Sequence, residues 1–393
     1  MKSILFVDDE VRILQGLKRL LRSMRNDWSM NFVASGAEAL DFLRANEVDV
    51  VVSDMRMPGM MGDEFLKHVK EEYPHIVRLI LSGHTEQAHA QRCLGVAHQF
   101  LSKPCDTTEL RDSVERVCEL SNSLKSVAHT KLAGSIGALP VAPRILVELQ
   151  QAFAEPDVSF PQIAAIIEED PSCASKILQV VNSSFFGLRR EIQSVSDAAR
   201  HLGLDTVRNL VLNEELRKSF ERTVAKGYSL DAAQRHGFLA SCIGPRLVRD
   251  HEVRETVRCA SLVHDVGQSL FASRLPEEYE RVLAKHKSGM GLHLAEREAF
   301  DTSHSELGGY LLGLWGLPTP IVEAVLFHHD PSRTGHREFE AAGAVHVACA
   351  LAHEDESLLD MEYLRAVGVE ENLDEWRAIA NEKIAAVERG AAA

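Results

Sequence analysis

Cysteine is sparse in this 393-residue chain and never paired along it. The seven Cys, at 93, 105, 118, 173, 242, 259 and 349, include no Cys-x-x-Cys spacing. That excludes a disulfide framework and a zinc ribbon, and it reads as reduced thiols in a cytoplasm. Long apolar runs are also missing. No stretch reaches 18 apolar residues, and the opening segment passes from Ile4-Leu5-Phe6-Val7 straight into Asp8-Asp9-Glu10. Neither a signal peptide nor a membrane span is expected. Positive charge is in deficit, with 43 Lys and Arg against 58 Asp and Glu, a formal net charge of -15. Such a surface repels phosphate backbones and anionic lipid, so neither nucleic acid nor membrane is an expected partner. What is present is an ordinary globular balance, 45% hydrophobic and 26% charged, over a length that suggests two or three domains.

The first 120 residues alternate between two patterns. Apolar runs at 4–7, 32–34, 48–52, 76–81 and 99–101 read as buried strands. Segments 11–22, 37–44, 64–71 and 87–94 have helical spacing, and another helix begins after Lys103-Pro104. Continuous apolar strands alternating with helices predict an α/β doubly wound, five-stranded parallel sheet. Ligands of such sheets gather at the carboxyl ends of the strands. There the chain has Asp8-Asp9, then Asp54, Ser82 and Lys103. Three carboxylates at one edge repel one another unless a cation intervenes, and hard oxygens suit Mg²⁺. A lysine and a hydroxyl beside them complete a place for a phosphoryl group. Any one of these acids is more simply a solvated loop residue; five matching positions in chain order are not.

With these positions, and with Asp54-Met55-Arg56-Met57-Pro58-Gly59-Met60-Met61-Gly62, residues 1–120 resemble a response-regulator receiver domain. The resemblance implies Asp54 as phosphoacceptor and Asp9 and Asp54 as direct Mg²⁺ ligands, with Asp8 acting through water and the Arg56 backbone carbonyl adding a ligand. It further implies Ser82 as switch hydroxyl, Lys103 as phosphate-contacting lysine and Phe100 as switch aromatic. Met61 departs from the Asp or Asn usual before the Gly.

Beyond Pro104 the segment 107–125 is helical in pattern. Leu110, Val114, Val117, Ser121, Leu124 and Ala128 form a short seam, which fits equally a dimer coil or a final receiver helix packed on its sheet. Gly134–Gly137 reads as a hinge. From Leu139 no strand pattern appears, and helix starts recur. Pro143 precedes Ile145, Ser159 and Gln162 have capping-box spacing, Asp170-Pro171 opens a further helix, and Leu202-Gly203 is a stop followed by Asp205 as the next cap. These predict an all-α domain. Twelve of the 18 His lie at or beyond position 201, so chemistry is sought there. His264-Asp265 sits in an apolar helical run, His236 one helix earlier, His304 opens a later helix, and His328-His329 end another. His and Asp drawn from several helices are how α-helical hydrolases hold divalent metals. Core imidazoles bonded to backbone carbonyls are the simpler alternative. His201, His251, His286, His293 and His353 are assigned to the surface or to such structural duty.

Leu139-Pro140, Asp170-Pro171, Asn182-Ser183, Leu202-Gly203, Leu262–Gly267 and Trp315-Gly316-Leu317-Pro318 make the region from about 137 to 350 similar to the HDOD domain, the HD-related output domain of bacterial signalling proteins. Its catalytic relatives are the HD and HD-GYP phosphodiesterases. His236, His264, Asp265, His304, His328 and His329 fall on positions resembling their metal ligands. The departures count against catalysis. The Gly-Tyr-Pro loop is absent after His329, Gln268 replaces a phosphate-side Lys, and Cys349 stands where the closing Asp would be. Cys349 or nearby His346 suits a transition metal better than Mg²⁺.

The expectation is therefore a receiver over 1–120, a helical linker and hinge over 121–137, and an HDOD domain with C-terminal helices over 138–393. The protein would be a cytoplasmic, homodimeric response regulator. A cognate histidine kinase would phosphorylate Asp54, and the HDOD domain would act on an unknown protein partner rather than as an enzyme. The alternative is a receiver-gated, metal-dependent phosphodiesterase acting on a cyclic dinucleotide or other nucleotide.

Overall fold

The computed structural model describes residues 2–83, 96–103, 110–111, 114–115, 143–153, 158–170, 173–175, 177–178, 192–220 and 224–391. The expected helix over 87–94, most of the seam from Leu110 to Ala128, the Gly134–Gly137 joint, Leu139-Pro140, Pro171 and Asn182-Ser183 lie outside the described residues. So do the side chains of Ser82 and Phe100. Two compact units emerge, residues 1–147 with 310–317 and residues 148–309 with 318–393.

In the first unit β1 (Lys2–Val7), β2 (Trp28–Val33), β3 (Val50–Asp54), β4 (Val77–Gly83) and β5 (Gln99–Lys103) pair in parallel in the order β2-β1-β3-β4-β5. Strand β2 starts four residues earlier than its apolar run suggests, because Trp28 is buried while Ser29 to Val33 are only half-buried. Every residue of β3 is buried, which requires cover on both faces. Helices α1 (Val11–Leu20), α2 (Gly36–Ala45) and α3 (Gly62–Glu72) join the first four strands. Helix α1 tightens into a 3₁₀ turn over Leu21–Asn26, and α2 is capped by Ser35, whose hydroxyl accepts from the Glu38 N–H. Leu40, Leu43, Phe65, Leu66 and Val69 pack with Leu5, Val51 and Ile80 into one core.

Register decides the edge where chemistry gathers. Val7 pairs with Ser53, Asp54 with Leu81, and Gly83 with Lys103, so the carboxyl ends of β1, β3, β4 and β5 come level. Strands β1 and β3 are adjacent although β2 lies between them in sequence, which opens the crevice typical of such sheets between them.

Among its described residues the second unit is helical. It contains α4 (Arg144–Phe153), whose first four residues cluster with the first unit, α5 (Phe160–Glu168), α6 (Val195–Leu202), α7 (Leu204–Phe220), α8 (Leu230–Ile243) and α9 (His251–Val263). There follow α10 (Val266–Arg274), α11 (Pro276–Lys287), α12 (Leu292–Phe300), α13 (His304–Leu314), whose residues 310–314 are grouped with the first unit, α14 (Thr319–Phe327), α15 (Ala341–Ala352), α16 (Met361–Ala366) and α17 (Leu373–Ala391). The Ser159–Gln162 capping box forms at α5, and Gly203 ends α6 at a φ of 83°. Asp205 lies inside the first turn of α7 rather than at its cap. Helix α15 is buried from Ala342 to Leu351 and is the axis of this unit. No helix among the described residues is long and apolar enough to cross a membrane.

Two glycines hold the sites together by close approach. A Cβ on Gly62 would stand 2.2 Å from the Asp54 carbonyl oxygen, and one on Gly267 would stand 2.0 Å from the His304 carbonyl oxygen. Backbone cannot yield as a side-chain tip would. Gly62→Ala is expected to push α3 away from the end of β3 and to cost about 1–3 kcal/mol, as overpacking does. Urea-unfolding midpoints of wild type and variant measure it; equal midpoints would contradict the contact.

Candidate functional site

At the sheet edge Asp8 and Asp54 are buried, and the carboxylate oxygens of Asp8, Asp9 and Asp54 lie within 4.8 Å of one another. Lys103 Nζ donates to Asp8 Oδ2 at 2.8 Å and to Asp54 Oδ1 at 2.5 Å. The other oxygens are held by backbone: Asp8 Oδ1 accepts from the Glu10 N–H at 2.9 Å, and Asp54 Oδ2 from the Arg56 N–H at 3.1 Å. Burial raises the pKa of Asp54, and Lys103 opposes that rise. Burial weakens the Lys103 charge, but its bonds to Asp54 and Asp8 raise its pKa overall. An all-oxygen set of three crowded carboxylates fits a hard divalent cation such as Mg²⁺. The backbones of Ser82 and Phe100 belong to β4 and β5.

In the second unit the six expected residues come together, from more elements than their spacing suggests. His264 and Asp265 do not sit within one helix. His264 caps the C-terminus of α9 and Asp265 precedes α10, so the pair occupies a break whose turn aims both side chains inward. Asp265 is the hub. Its Oδ2 lies 3.4 Å from His264 Nε2 and 3.9 Å from His236 Nε2, and its Oδ1 lies 3.3 Å from His304 Nε2 and 3.8 Å from His328 Nε2. His329 Nε2 meets His304 Nε2 at 2.8 Å.

The imidazoles are oriented by their outer nitrogens. His264 Nδ1 donates to the Ser261 carbonyl at 2.7 Å, and His328 Nδ1 to the Val325 carbonyl at 2.8 Å. Their inner Nε2 atoms are buried and have no hydrogen-bond partner. A ring fixed in this way presents a lone pair, as metal-ligating histidines do. His304 Nδ1 donates to Glu296 Oε2 at 2.6 Å, and the Tyr279 hydroxyl donates to Glu296 Oε1 at 2.8 Å.

The structure adds to the sequence reading here and in part changes it. Glu296, fully buried, belongs to no sequence motif, although it lies with Leu292, Ala295 and Phe300 on the apolar stripe of α12, where an acid needs a reason. His293, half-buried, and His353, exposed as the sequence suggests, both reach rings of the cluster. The first stacks on His329 with ring centroids 4.4 Å apart, the second on His236 at 3.8 Å. His346 is not available as a ligand, because Nδ1 donates to the His328 carbonyl and Nε2 accepts from the Asp360 N–H, each at 2.8 Å. Cys349 does face the cluster, its Sγ 3.6 Å from His236 Nε2.

The response regulator receiver family matches residues 4–115, and the HDOD domain family matches residues 139–331. The chain is a receiver domain followed by an HDOD domain. Sporulation initiation phosphotransferase F of Bacillus subtilis is 31% identical over 126 residues, 31% of this chain and 98% of that protein. An uncharacterised Treponema pallidum protein is 27% identical over 227 residues, 57% of this chain and 44% of its own length. A crystal structure of an HDOD domain protein of unknown function from Geobacter sulfurreducens aligns over 70% of this chain and 99% of its own, with 20% identity and a TM-score of 0.49. The chain spans less than half the length of the first curated relatives it matches.

Protonation separates the HDOD imidazoles. Burial holds His236 at about 3 and His293 at about 4, and holds His328 and His329 well below 6.5. Burial also opposes charge on His304, but Glu296 and Asp265 outweigh it and push this ring up to about 10. Below pH 6.5 the unfolded chain takes up protons that the folded rings refuse, so stability falls as pH drops toward about 4 and then about 3. The His304 contribution runs the other way, complete below pH 6.5 and lost as pH rises through about 10. Urea midpoints followed by helical circular dichroism should crest near pH 6.5; a flat profile from there to pH 4 would refute this protonation pattern.

Proposed function

We propose that the chain is a two-component response regulator in which Asp54 accepts a phosphoryl group from a cognate histidine kinase. The convergence of Asp8, Asp9 and Asp54 with Lys103 at the carboxyl edge of the sheet carries this reading. An Asp54 oxygen attacks phosphorus in line, the phosphorus–nitrogen bond to the kinase histidine breaks, and that imidazole keeps the electron pair and takes up a proton. Asp9 and Asp54, with Asp8 through water and the Arg56 carbonyl, would hold Mg²⁺, which would offset charge on the carboxylates and the phosphoryl oxygens. Lys103 exchanges its Asp54 contact for a phosphate oxygen. Ser82 then moves to the phosphate and Phe100 fills the space it leaves, which alters the surface of the expected helices over 87–94 and from 107 onward. The receiver is taken as 1–120, the linker as 121–137 and the HDOD domain as 138–393, in a cytoplasmic homodimer whose HDOD domain binds a protein partner.

Intact-mass measurement with a small phosphodonor tests the acceptor. Wild type should gain one phosphoryl adduct only with Mg²⁺, Asp54→Asn should gain none, and Lys103→Ala should gain it without the downstream change in quaternary state. An equal adduct on Asp54→Asn would refute the assignment.

A second reading, a receiver-gated metal phosphodiesterase acting on a cyclic dinucleotide or other nucleotide, draws support from Asp265 ringed by four imidazoles. Gln268 in place of a phosphate-side lysine weighs against it. No cyclic di-GMP turnover is expected, and His264→Ala should cost about 1–3 kcal/mol through its unsatisfied partner and lost packing. Turnover dependent on Mn²⁺ or Fe²⁺ and abolished by Asp265→Asn would establish the second reading instead.

A further inference from the structure

The donor atoms of the HDOD domain differ from one end of the cluster to the other. One end is hard, built on Asp265 with His304 held by Glu296. The other is soft. His236 projects from α8, and Cys349 and His353 lie one helical turn apart on α15 and its C-cap, with the ligand atoms of all three within 4.8 Å of one another. Between the ends stand the orphaned Nε2 atoms of His264 and His328, each less than 2% exposed as a residue. His264 lies within the same 4.8 Å of His236, and also of His328 and Cys349. Buried acceptors left unserved cost roughly 1–3 kcal/mol apiece. Among the described residues no hydrogen-bond donor answers these two, whereas a cation would.

We propose that His236, Cys349 and His353 form a site for a borderline-soft divalent transition ion of the zinc type, with His264 Nε2 as fourth donor. One thiolate and three imidazoles make a donor set suited to such an ion and poorly suited to Mg²⁺. Ligand atoms in a tetrahedral zinc site stand about 3.3–3.8 Å apart, given bonds of about 2.0–2.3 Å, so closing the site takes small side-chain rotations. The His236 and His353 rings unstack to aim both nitrogens at one point. Coordination breaks the Cys349 S–H bond and forms a sulfur–metal bond, and the proton leaves to solvent. His353 is the exposed member and supplies the way in. The ion ties α8 to α15, two helices drawn from distant parts of the chain. This site is independent of phosphorylation at Asp54 and needs no hydrolysis at Asp265.

The test uses the full chain, stripped with a chelator and titrated with Co²⁺ as a spectroscopic probe. One equivalent should bind with a thiolate-to-cobalt charge-transfer band in the near ultraviolet, and Zn²⁺ should bleach it. Cys349→Ser should lose the band. His353→Gln, at an exposed position that leaves the core intact, should weaken Co²⁺ binding by at least about tenfold. Asp265→Asn should keep the band. Failure to bind Co²⁺, binding without the thiolate band, a band that survives Cys349→Ser, or unchanged affinity in His353→Gln would each overturn the proposal. Should Cys349→Ser fail to fold, the band in wild type and the affinity of His353→Gln decide it.

Discussion

One ammonium, that of Lys103, lies between the buried carboxylates of Asp8 and Asp54 and makes their closeness tolerable. Without a countercharge two such groups would repel each other and one would take up a proton, which would end its use as a nucleophile or metal ligand. The rest of the receiver site serves this arrangement. Backbone N–H groups of Glu10 and Arg56 take the remaining carboxylate oxygens, and Gly62 lets α3 close against the Asp54 carbonyl. A phosphoryl group arriving at Asp54 would bring more negative charge to a site already balanced by one lysine, which is why a divalent cation belongs to the reading.

The HDOD domain meets the same requirement differently. Among the described residues no lysine or arginine pairs with Asp265; it has imidazoles on four sides. His304, held by the second buried acid Glu296, is pushed toward the charged form. Burial keeps His236, His328 and His329 neutral, and a neutral ring whose outer nitrogen is tied to a carbonyl, as that of His328 is, is shaped as a ligand. A cluster assembled only to fill a core would not need two inner nitrogens left without partners.

The two domains also differ in how the backbone delivers side chains. In the receiver, parallel register brings Asp8, Asp54 and Lys103 level, so strand ends do the positioning. In the HDOD domain the work falls to helix ends: the α9–α10 break carries His264 and Asp265, the start of α13 carries His304, and the end of α14 carries His328 and His329. Helix termini leave backbone groups free, and the imidazoles of His264 and His328 are tied to carbonyls of just such terminal turns.

Sequence alone was enough for the five strands and the first three helices of the receiver and for its acid–lysine edge, because buried parallel strands are continuous apolar runs and their ends are where polar residues reappear. It was enough as well for the six HD-like residues, which stand beside recognisable helix starts and stops. Tertiary structure decided what spacing along a chain cannot carry. The inward turn between His264 and Asp265 looked like unbroken helix, because an apolar run is shared by a helix and by a tight break between two buried helices. Glu296, His293 and His353 became part of the cluster only through packing between helices, and His346 left it because its two nitrogens are claimed by backbone groups at His328 and Asp360. Which nitrogen of each ring is free is a matter of contacts from other elements, and no local pattern encodes them.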